Sequence, residues 1–212
     1  MRRENFIHVL QAAANVVEDE LVLVGSQAVL GTVDAPPEEL LRSMEVDVYP
    51  RSDPERAIEI DGAIGEGSRF HETYGYYAHG VGPETITAPA GWEERLKKLT
   101  LPPIRRAGRE PIVWCLALHD LMLAKLAAGR PHDFVFVDAA VEAELVTLDE
   151  LQLGIDLLPE GSRSEVAQRL ERLRAKAMIR AIQATRNLSE DEAMRLALEA
   201  QEEVRRDVDP AS

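Results

Sequence analysis

Two acidic residues in an otherwise apolar segment are the first candidates for chemistry. Glu45 and Asp47 lie in the run MEVDVYP, whose alternation of apolar and polar residues predicts a β-strand over residues 45–49. Side chains two positions apart on a strand point to the same face, so the carboxylates are expected to lie side by side. Paired carboxylates suit a hard divalent cation such as Mg²⁺ or Mn²⁺. The alternative is a strand whose two acids simply face solvent.

A glycine–serine turn precedes this strand. Residues 21–24 form a short apolar run that predicts a buried strand, and Gly25 and Ser26 end it before the segment QAVLG begins a helix. Backbone N–H groups at such a turn attract phosphate, Gly25 lets a phosphate approach closely, and the Ser26 hydroxyl adds a donor. The pattern indicates a phosphate site, although the same residues also occur as an ordinary helix cap.

A third group of polar residues lies in the segment HDLMLAKLAAGRPHDF. Its apolar residues predict a helix that ends at Gly129, followed by a helix that opens at Pro131. Lys125 can neutralise a triphosphate, and Asp133 can complete a metal site or orient an acceptor hydroxyl. The alternative is an ordinary surface lysine and a helix-capping aspartate.

The elements that must position these residues define an α/β (α+β) fold, a mixed sheet flanked by helices. We expect a first helix at the N-terminus, a helix after Asp53, a pair of strands near residues 74–79 and 84–88, and a last strand over residues 111–116. From Ser162 the chain is predicted to form C-terminal helices, with a capping box at Ser162 and Glu165 and another at Ser189 and Glu192. With 212 residues and 45% hydrophobic content, the chain fits one domain with a helical annex.

The charge balance limits the partners. With 38 acidic and 24 basic residues, the formal charge is −14, which argues against a protein that coats nucleic acid through its whole surface. Two local basic features remain: the acid-free run 95–109, and a helical stripe made of Arg169, Arg172, Lys176 and Arg180. Each either guides RNA or an acidic partner, or is a solvated face or the outer face of a packed helix.

Other features narrow the class. No run approaches the roughly 18 apolar residues of a membrane span, and Cys115 is the only cysteine, so we expect a cytoplasmic protein without an internal disulfide. No P-loop, Rossmann or serine-hydrolase motif occurs. His71 and His79 lack a third ligand at zinc-like spacing. His79 or Tyr76 could line a nucleotide pocket, but packing or hairpin contacts are the favoured interpretation.

The chain also resembles a known group of bacterial proteins. The segments GSQAVLG, EVDVY, FHETYGYYAHGVGPETI, GWEERL and DLMLAKLAAGRPHDFVFV are similar to nucleotidyltransferases related to the AbiEii and MenT toxins, over about residues 5–150. The resemblance implies a nucleotidyltransferase-like core over residues 1–115 and a helical region over 116–212 that completes the site. Two departures are a glutamate at position 45, where aspartate is more usual, and the 18 residues 27–44, a longer gap than usual.

Together, the residues and the resemblance predict an Mg²⁺- or Mn²⁺-dependent enzyme that moves an NMP from an NTP to a hydroxyl. The acceptor would be tRNA, and the enzyme would be a toxin with an antitoxin protein as partner. The predicted metal ligands are Glu45, Asp47 and Asp133. The predicted nucleotide-binding residues are Gly25, Ser26, Lys125 and Arg130. The predicted catalytic residues are Asp47, Lys125 and Asp133. The alternatives are a non-catalytic binding module on the same fold and an enzyme that modifies a protein side chain.

Overall fold

A five-stranded mixed sheet forms the centre of the protein. The computed structural model describes residues 1–104, 110–186, 191–192 and 194–199. The strands are β1 (Leu21–Leu23), β2 (Glu45–Pro50), β3 (Tyr77–Gly80), β4 (Lys97–Thr100) and β5 (Ile112–Cys115). They lie in the order β3-β2-β1-β5-β4, with β1 parallel to β5, β2 parallel to β3, and the β1/β2 and β4/β5 pairs antiparallel. The predicted mixed sheet is therefore confirmed.

Helices flank this sheet, as predicted. Within the described residues they include α1 (Arg3–Val17), α2 (Ala28–Thr32), α3 (Ala57–Ile64), α4 (Arg69–Tyr74), α5 (Leu118–Ala128), α6 (Pro131–Glu142), α7 (Leu148–Gly154) and α8 (Glu160–Arg186). Short 3₁₀ turns span Glu38–Leu41, Pro54–Arg56, Pro83–Thr85, Trp92–Arg95 and Ile155–Leu157. No helix in this part of the chain combines the length and the apolar character that crossing a membrane requires.

Strand β1 is buried on both faces, which explains its uninterrupted apolar sequence. Leu21 and Leu23 point into the main core, where they join buried residues of α1 and α5. Val22 and Val24 point to the other face, where they pack in a smaller cluster with Tyr49. The Gly25–Ser26 turn therefore follows a strand that is fixed on both sides.

The basic stripe on α8 is largely occupied by contacts within the fold. Lys176 Nζ and Arg180 Nη1 lie 2.8 and 2.9 Å from Asp138 Oδ2 on α6. Arg169 Nη1 donates to the carbonyls of Leu126 and Ala127, at 2.6 and 3.0 Å. Of the two interpretations of the stripe, these contacts support the packed helix.

The segment after α3 differs from the predicted pair of strands. Residues 69–74 form α4, which Gly75 ends in the left-handed conformation at φ +74°, so the first strand is shorter and begins at Tyr77. The second predicted strand, over residues 84–88, is wrong. Strand β3 pairs in parallel with β2, and Pro83, which has no N–H for a ladder, begins a 3₁₀ turn instead.

The basic run 95–109 contains a strand that was not predicted. Lys97 and Lys98 lie on β4, an edge strand of the sheet, and both side chains are exposed. Charged residues are common on edge strands because they discourage pairing with other chains. Arg95 makes a two-point ion pair with Asp120 at 2.8 and 2.9 Å, and Arg105, Arg106 and Arg109 lie outside the described residues.

One predicted helix start is also wrong. Helix α8 begins at Glu160, and the Ser162 hydroxyl donates to the carbonyl of Pro159, so Ser162 is not its N-cap. A capping box occurs instead at Thr147 and Glu150, before α7. The predicted helix after Asp53 is confirmed, since Pro54 begins a 3₁₀ turn that leads into α3, although the Asp53 side chain makes no cap hydrogen bond. Ser189 of the other predicted capping box lies outside the described residues.

Candidate functional site

The Gly25–Ser26 turn lies directly against the acidic strand. Val24 N–H donates to the carbonyl of Asp47 at 2.9 Å, which holds the end of β1 beside β2. Gly25 has φ +58°, and a Cβ at this position would overlap the Asp47 carboxylate. Glycine is therefore required twice, once for the backbone conformation and once for the close approach of Asp47.

The parallel register of β2 and β3 brings four polar side chains together. Glu45 pairs with Tyr77 and Asp47 pairs with His79. The Tyr77 hydroxyl donates to Glu45 Oε2 at 2.8 Å. His79 Nδ1 lies 3.2 Å from Asp47 Oδ1 and 3.3 Å from Glu45 Oε1. One potential ligand atom from each of Glu45, Asp47 and His79 lies within 4.8 Å of the others, so we call these three residues the strand cluster.

The pKa values of the two carboxylates in the strand cluster shift in opposite directions. Burial, together with the hydrogen bond and the negative charge of Glu45, raises the pKa of Asp47 to about 7. Burial also acts to raise the pKa of Glu45, but hydrogen bonds from Asp47 and Tyr77 and the charge of His79 lower it overall. Two acids this close do not both ionise easily, so a cation between them relieves their repulsion.

The same two acids affect His79. Burial acts to lower its pKa, but the hydrogen bond and charge of Asp47, followed by those of Glu45, raise it overall. His79 is about half exposed, at 48% of its side chain, so it can reach solvent or a ligand as well as the acids. The strand cluster therefore combines two carboxylates and an imidazole at an accessible surface.

The third predicted group lies opposite the strand cluster. Helix α5 ends at Gly129, which has φ +66°, and Pro131 begins α6. This tight turn places Lys125 beside Asp133, and Lys125 Nζ lies 2.7 Å from Asp133 Oδ1. Both side chains are less than 10% exposed. Asp133 Oδ2 is buried without a hydrogen-bond partner among the described residues.

All seven predicted site residues border one pocket of about 600 Å³. They are Gly25, Ser26, Glu45, Asp47, Lys125, Arg130 and Asp133. A second pocket of about 500 Å³ adjoins the first and shares six of the seven, all except Ser26. The structure thus brings the predicted residues together, while their individual roles remain predictions. Asp133 is not part of the strand cluster, because its carboxylate faces Lys125.

Several residues at the site lie outside the predicted set of site residues. His79, for which lining a pocket was the less favoured interpretation, borders the second pocket with the apolar Val81 and Ile86, and Arg42 and His132 border the first. The alternation in YYAHG indicates a strand, but nothing in the sequence gives its register against β2. Arg42 and His132 are exposed, and no spacing in the sequence distinguishes them from other exposed polar residues.

The fold and the site together define a class. A mixed sheet flanked by helices, with a glycine–serine turn set against two carboxylates on the neighbouring strand, is consistent with a nucleotidyltransferase-like fold. Residues 4–183 match the family described as "Nucleotidyltransferase of unknown function (DUF6036)". Because the match covers most of the chain, the protein belongs to this family. No curated protein and no solved structure matches the chain.

Proposed function

We propose that this protein is a divalent-metal-dependent nucleotidyltransferase that moves an NMP from an NTP to a hydroxyl group. The observation that carries the proposal is the convergence of seven residues of the expected chemistry on one pocket of about 600 Å³. These residues come from four separate elements of the chain. Their convergence is difficult to explain as a set of unrelated caps and surface charges, and the family of the chain supports the same chemistry.

The Gly25–Ser26 turn and the cationic residues would hold the triphosphate. Ser26 borders only the larger of the two adjoining pockets, so we place the triphosphate there. Arg130 is exposed at the rim. Lys125 already has one contact with Asp133, but an ammonium has three N–H donors, so it can still bind a phosphate oxygen.

Glu45 and Asp47 would hold the metal. The donor set fits a hard divalent cation, because two carboxylates converge, and burial together with the negative charge of Glu45 raises the pKa of Asp47. Bound Mg²⁺ or Mn²⁺ would supply charge to the phosphates and align the attacking and leaving oxygens. Asp133 was predicted as a third ligand, and we propose that its unpartnered Oδ2 orients the acceptor hydroxyl or supports the metal.

The proposed step is an in-line displacement at phosphorus. The acceptor oxygen forms a bond to the α-phosphorus, the bond from that phosphorus to the oxygen bridging to the β-phosphate breaks, and pyrophosphate leaves. The acceptor proton passes to a carboxylate, for which Asp133 is the candidate. The chain positions the reactants and supplies charge, and no covalent enzyme intermediate is needed.

We propose tRNA as the acceptor, and a cytoplasmic toxin with an antitoxin partner as the biological setting. This part of the proposal is supported by the resemblance to the AbiEii and MenT group. A protein hydroxyl is the second candidate acceptor, because Val81, Ile86, Thr85 and Thr87 give the second pocket a largely uncharged wall. A non-catalytic binding module is the third candidate.

The test is transfer of label from each α-labelled NTP to total tRNA or to cell protein, with Mg²⁺ or Mn²⁺ present. Asp47→Asn removes one charge from the pocket, and Asp156→Asn is the matched control at an exposed acid that does not border it. Label on tRNA with wild type and Asp156→Asn, and none with Asp47→Asn, supports the full proposal. Label on protein, and none on tRNA, identifies a protein side chain as the acceptor. NTP binding without transfer supports the binding module.

A further inference from the structure

We propose that His79 is a nitrogen ligand of the bound metal and that the strand cluster selects Mn²⁺ or a related transition-metal ion over Mg²⁺. This inference rests on the proposed function only in placing a metal at Glu45 and Asp47. It adds the third protein ligand and the kind of metal, neither of which follows from the family or from the sequence pattern.

The position of His79 is fixed by the sheet. Asp47 and His79 are direct partners in the parallel β2/β3 ladder, so their side chains leave the same face of the sheet at neighbouring positions. His79 Nδ1 faces one oxygen of each acid, Glu45 Oε1 and Asp47 Oδ1, at 3.3 and 3.2 Å. Three donor atoms therefore converge on one point, as a metal site requires.

Tyr77 gives this cluster a supporting contact. Its hydroxyl binds Glu45 Oε2, so the other oxygen, Oε1, is turned towards His79. Hydrogen bonds that orient ligands in this way are characteristic of protein metal sites. Gly25 contributes as well, since any side chain there would overlap the Asp47 carboxylate.

Asp133 is a weaker candidate for the third ligand. Its Oδ1 is paired with Lys125 at 2.7 Å, so its charge already has a partner. In the described parts of the chain, Glu45, Asp47 and His79 form the single group of three or more such ligands that meets the 4.8 Å spacing. His79, with about half of its side chain exposed, is free to adjust towards an ion.

The imidazole decides which metal is favoured. Mg²⁺ prefers oxygen ligands and keeps several waters, and it gains little from a nitrogen ligand. Mn²⁺ accepts both carboxylate and imidazole ligands, and later transition metals bind imidazole more strongly still. A site with two carboxylates and one histidine is therefore expected to bind Mn²⁺ more tightly than Mg²⁺.

The experiment measures Mn²⁺ bound to the full chain labelled with ¹⁵N-histidine. Pulsed electron paramagnetic resonance detects coupling between Mn²⁺ and a directly bound nitrogen, and calorimetry gives the affinities for Mn²⁺ and Mg²⁺. Wild type is expected to show the nitrogen coupling. His79→Asn is expected to lose it and to bind Mn²⁺ about 10- to 100-fold more weakly, as metal sites do when even an outer contact is lost.

Two further variants sharpen this result. His79→Asp replaces the nitrogen with a third carboxylate, so the preference for Mn²⁺ over Mg²⁺ is expected to narrow while binding persists. His119→Asn is the matched control, because His119 contacts Glu150 and lies outside the strand cluster. It is expected to keep both the coupling and the affinity.

The opposite result has a clear physical meaning. If His79 only neutralises the two acids, Mn²⁺ will show no histidine coupling, and His79→Asn will bind it equally well or more tightly because a competing cation is gone. That result overturns the inference and leaves NMP transfer unaffected. Nitrogen coupling in a protein that transfers no NMP would instead uphold the inference and refute the proposed function.

Discussion

The carboxylates of the strand cluster and the carboxylate of Asp138 have opposite electrostatic surroundings in the same protein. Asp138 is largely buried between α6 and α8, and Lys176 and Arg180 both contact its Oδ2. Burial acts to raise its pKa, but the hydrogen bonds from Arg180 and Lys176 lower it overall. At the strand cluster, burial and the neighbouring acid Glu45 together raise the pKa of Asp47 to about 7.

The difference in neighbouring charge distinguishes an acid that stabilises the fold from acids that are placed to bind a cation. The charge of Asp138 is matched by the chain itself, so it stabilises the contact between α6 and α8. The charge of Asp47 is only partly matched, by His79, so its ionised form destabilises the free protein, whereas ionised Glu45 is held by hydrogen bonds from Asp47 and Tyr77. This contrast predicts that the same substitution, aspartate to asparagine, has opposite consequences in the two places.

Asp47→Asn gives the largest expected effect. We expect it to lower NMP transfer on the order of 10³-fold, since losing a metal ligand removes several kcal/mol of charge stabilisation. The melting temperature of the metal-free protein should stay the same or rise, because asparagine removes the repulsion with Glu45. Transfer assays and thermal unfolding of the same samples check both parts. A strongly destabilised variant would show that Asp47 has a structural role.

Asp138→Asn should lower stability and leave NMP transfer unchanged. It removes the shared partner of Lys176 and Arg180, which are 50% and 28% exposed and can turn to water. We therefore expect a loss of about 1–3 kcal/mol in the free energy of unfolding. Chemical denaturation measures this loss. Transfer activity at a temperature where the variant is folded should be unchanged. A large loss of activity would contradict a purely structural role for Asp138.

The stability of the metal-free protein should depend on pH through Asp47. Folding raises its pKa from 3.8 to about 7. Protonated Asp47 therefore contributes stability that is fully present below pH 3.8 and is lost as the pH rises through about 7. We expect a loss on the order of 3 kcal/mol between pH 4.5 and 8, relative to Asp47→Asn. Thermal unfolding of both proteins across this range tests it. Saturating Mn²⁺ should offset this loss in the wild type, because the ion binds ionised Asp47, and parallel curves without metal would contradict the raised pKa of Asp47.

The sequence predicted the parts of the site that local patterns encode. The Gly25–Ser26 turn, the alternating acids of β2 and the helix end at Gly129 are all local features, and the structure brings side chains from or beside each of them to one pocket. The convergence itself was inferred from chemistry and resemblance. The mixed sheet was predicted from strands whose burial is visible in their apolar runs.

Contacts between distant segments could not be predicted in the same way. His79 joins the strand cluster only because β3 pairs in parallel with β2 in one particular register, and a shift of one residue would turn it to the other face. The sequence favoured a hairpin for this segment. Strand β4 escaped prediction because exposed lysines on an edge strand resemble a solvated loop.

Tyr77→Phe should give the smallest effect and is the most specific test of the register. The variant keeps the ring but loses the hydroxyl that holds Glu45 Oε2 at 2.8 Å. We expect Mn²⁺ affinity to fall by about tenfold, as typical for a contact that orients a ligand, with little change in stability because Glu45 can bind water instead. Tyr74→Phe is the matched control, since Tyr74 is half exposed and outside the strand cluster. If Tyr77→Phe binds Mn²⁺ as wild type does, other contacts hold Glu45 in place. The strand cluster would then differ from Asp138 only in the charge of the neighbouring groups.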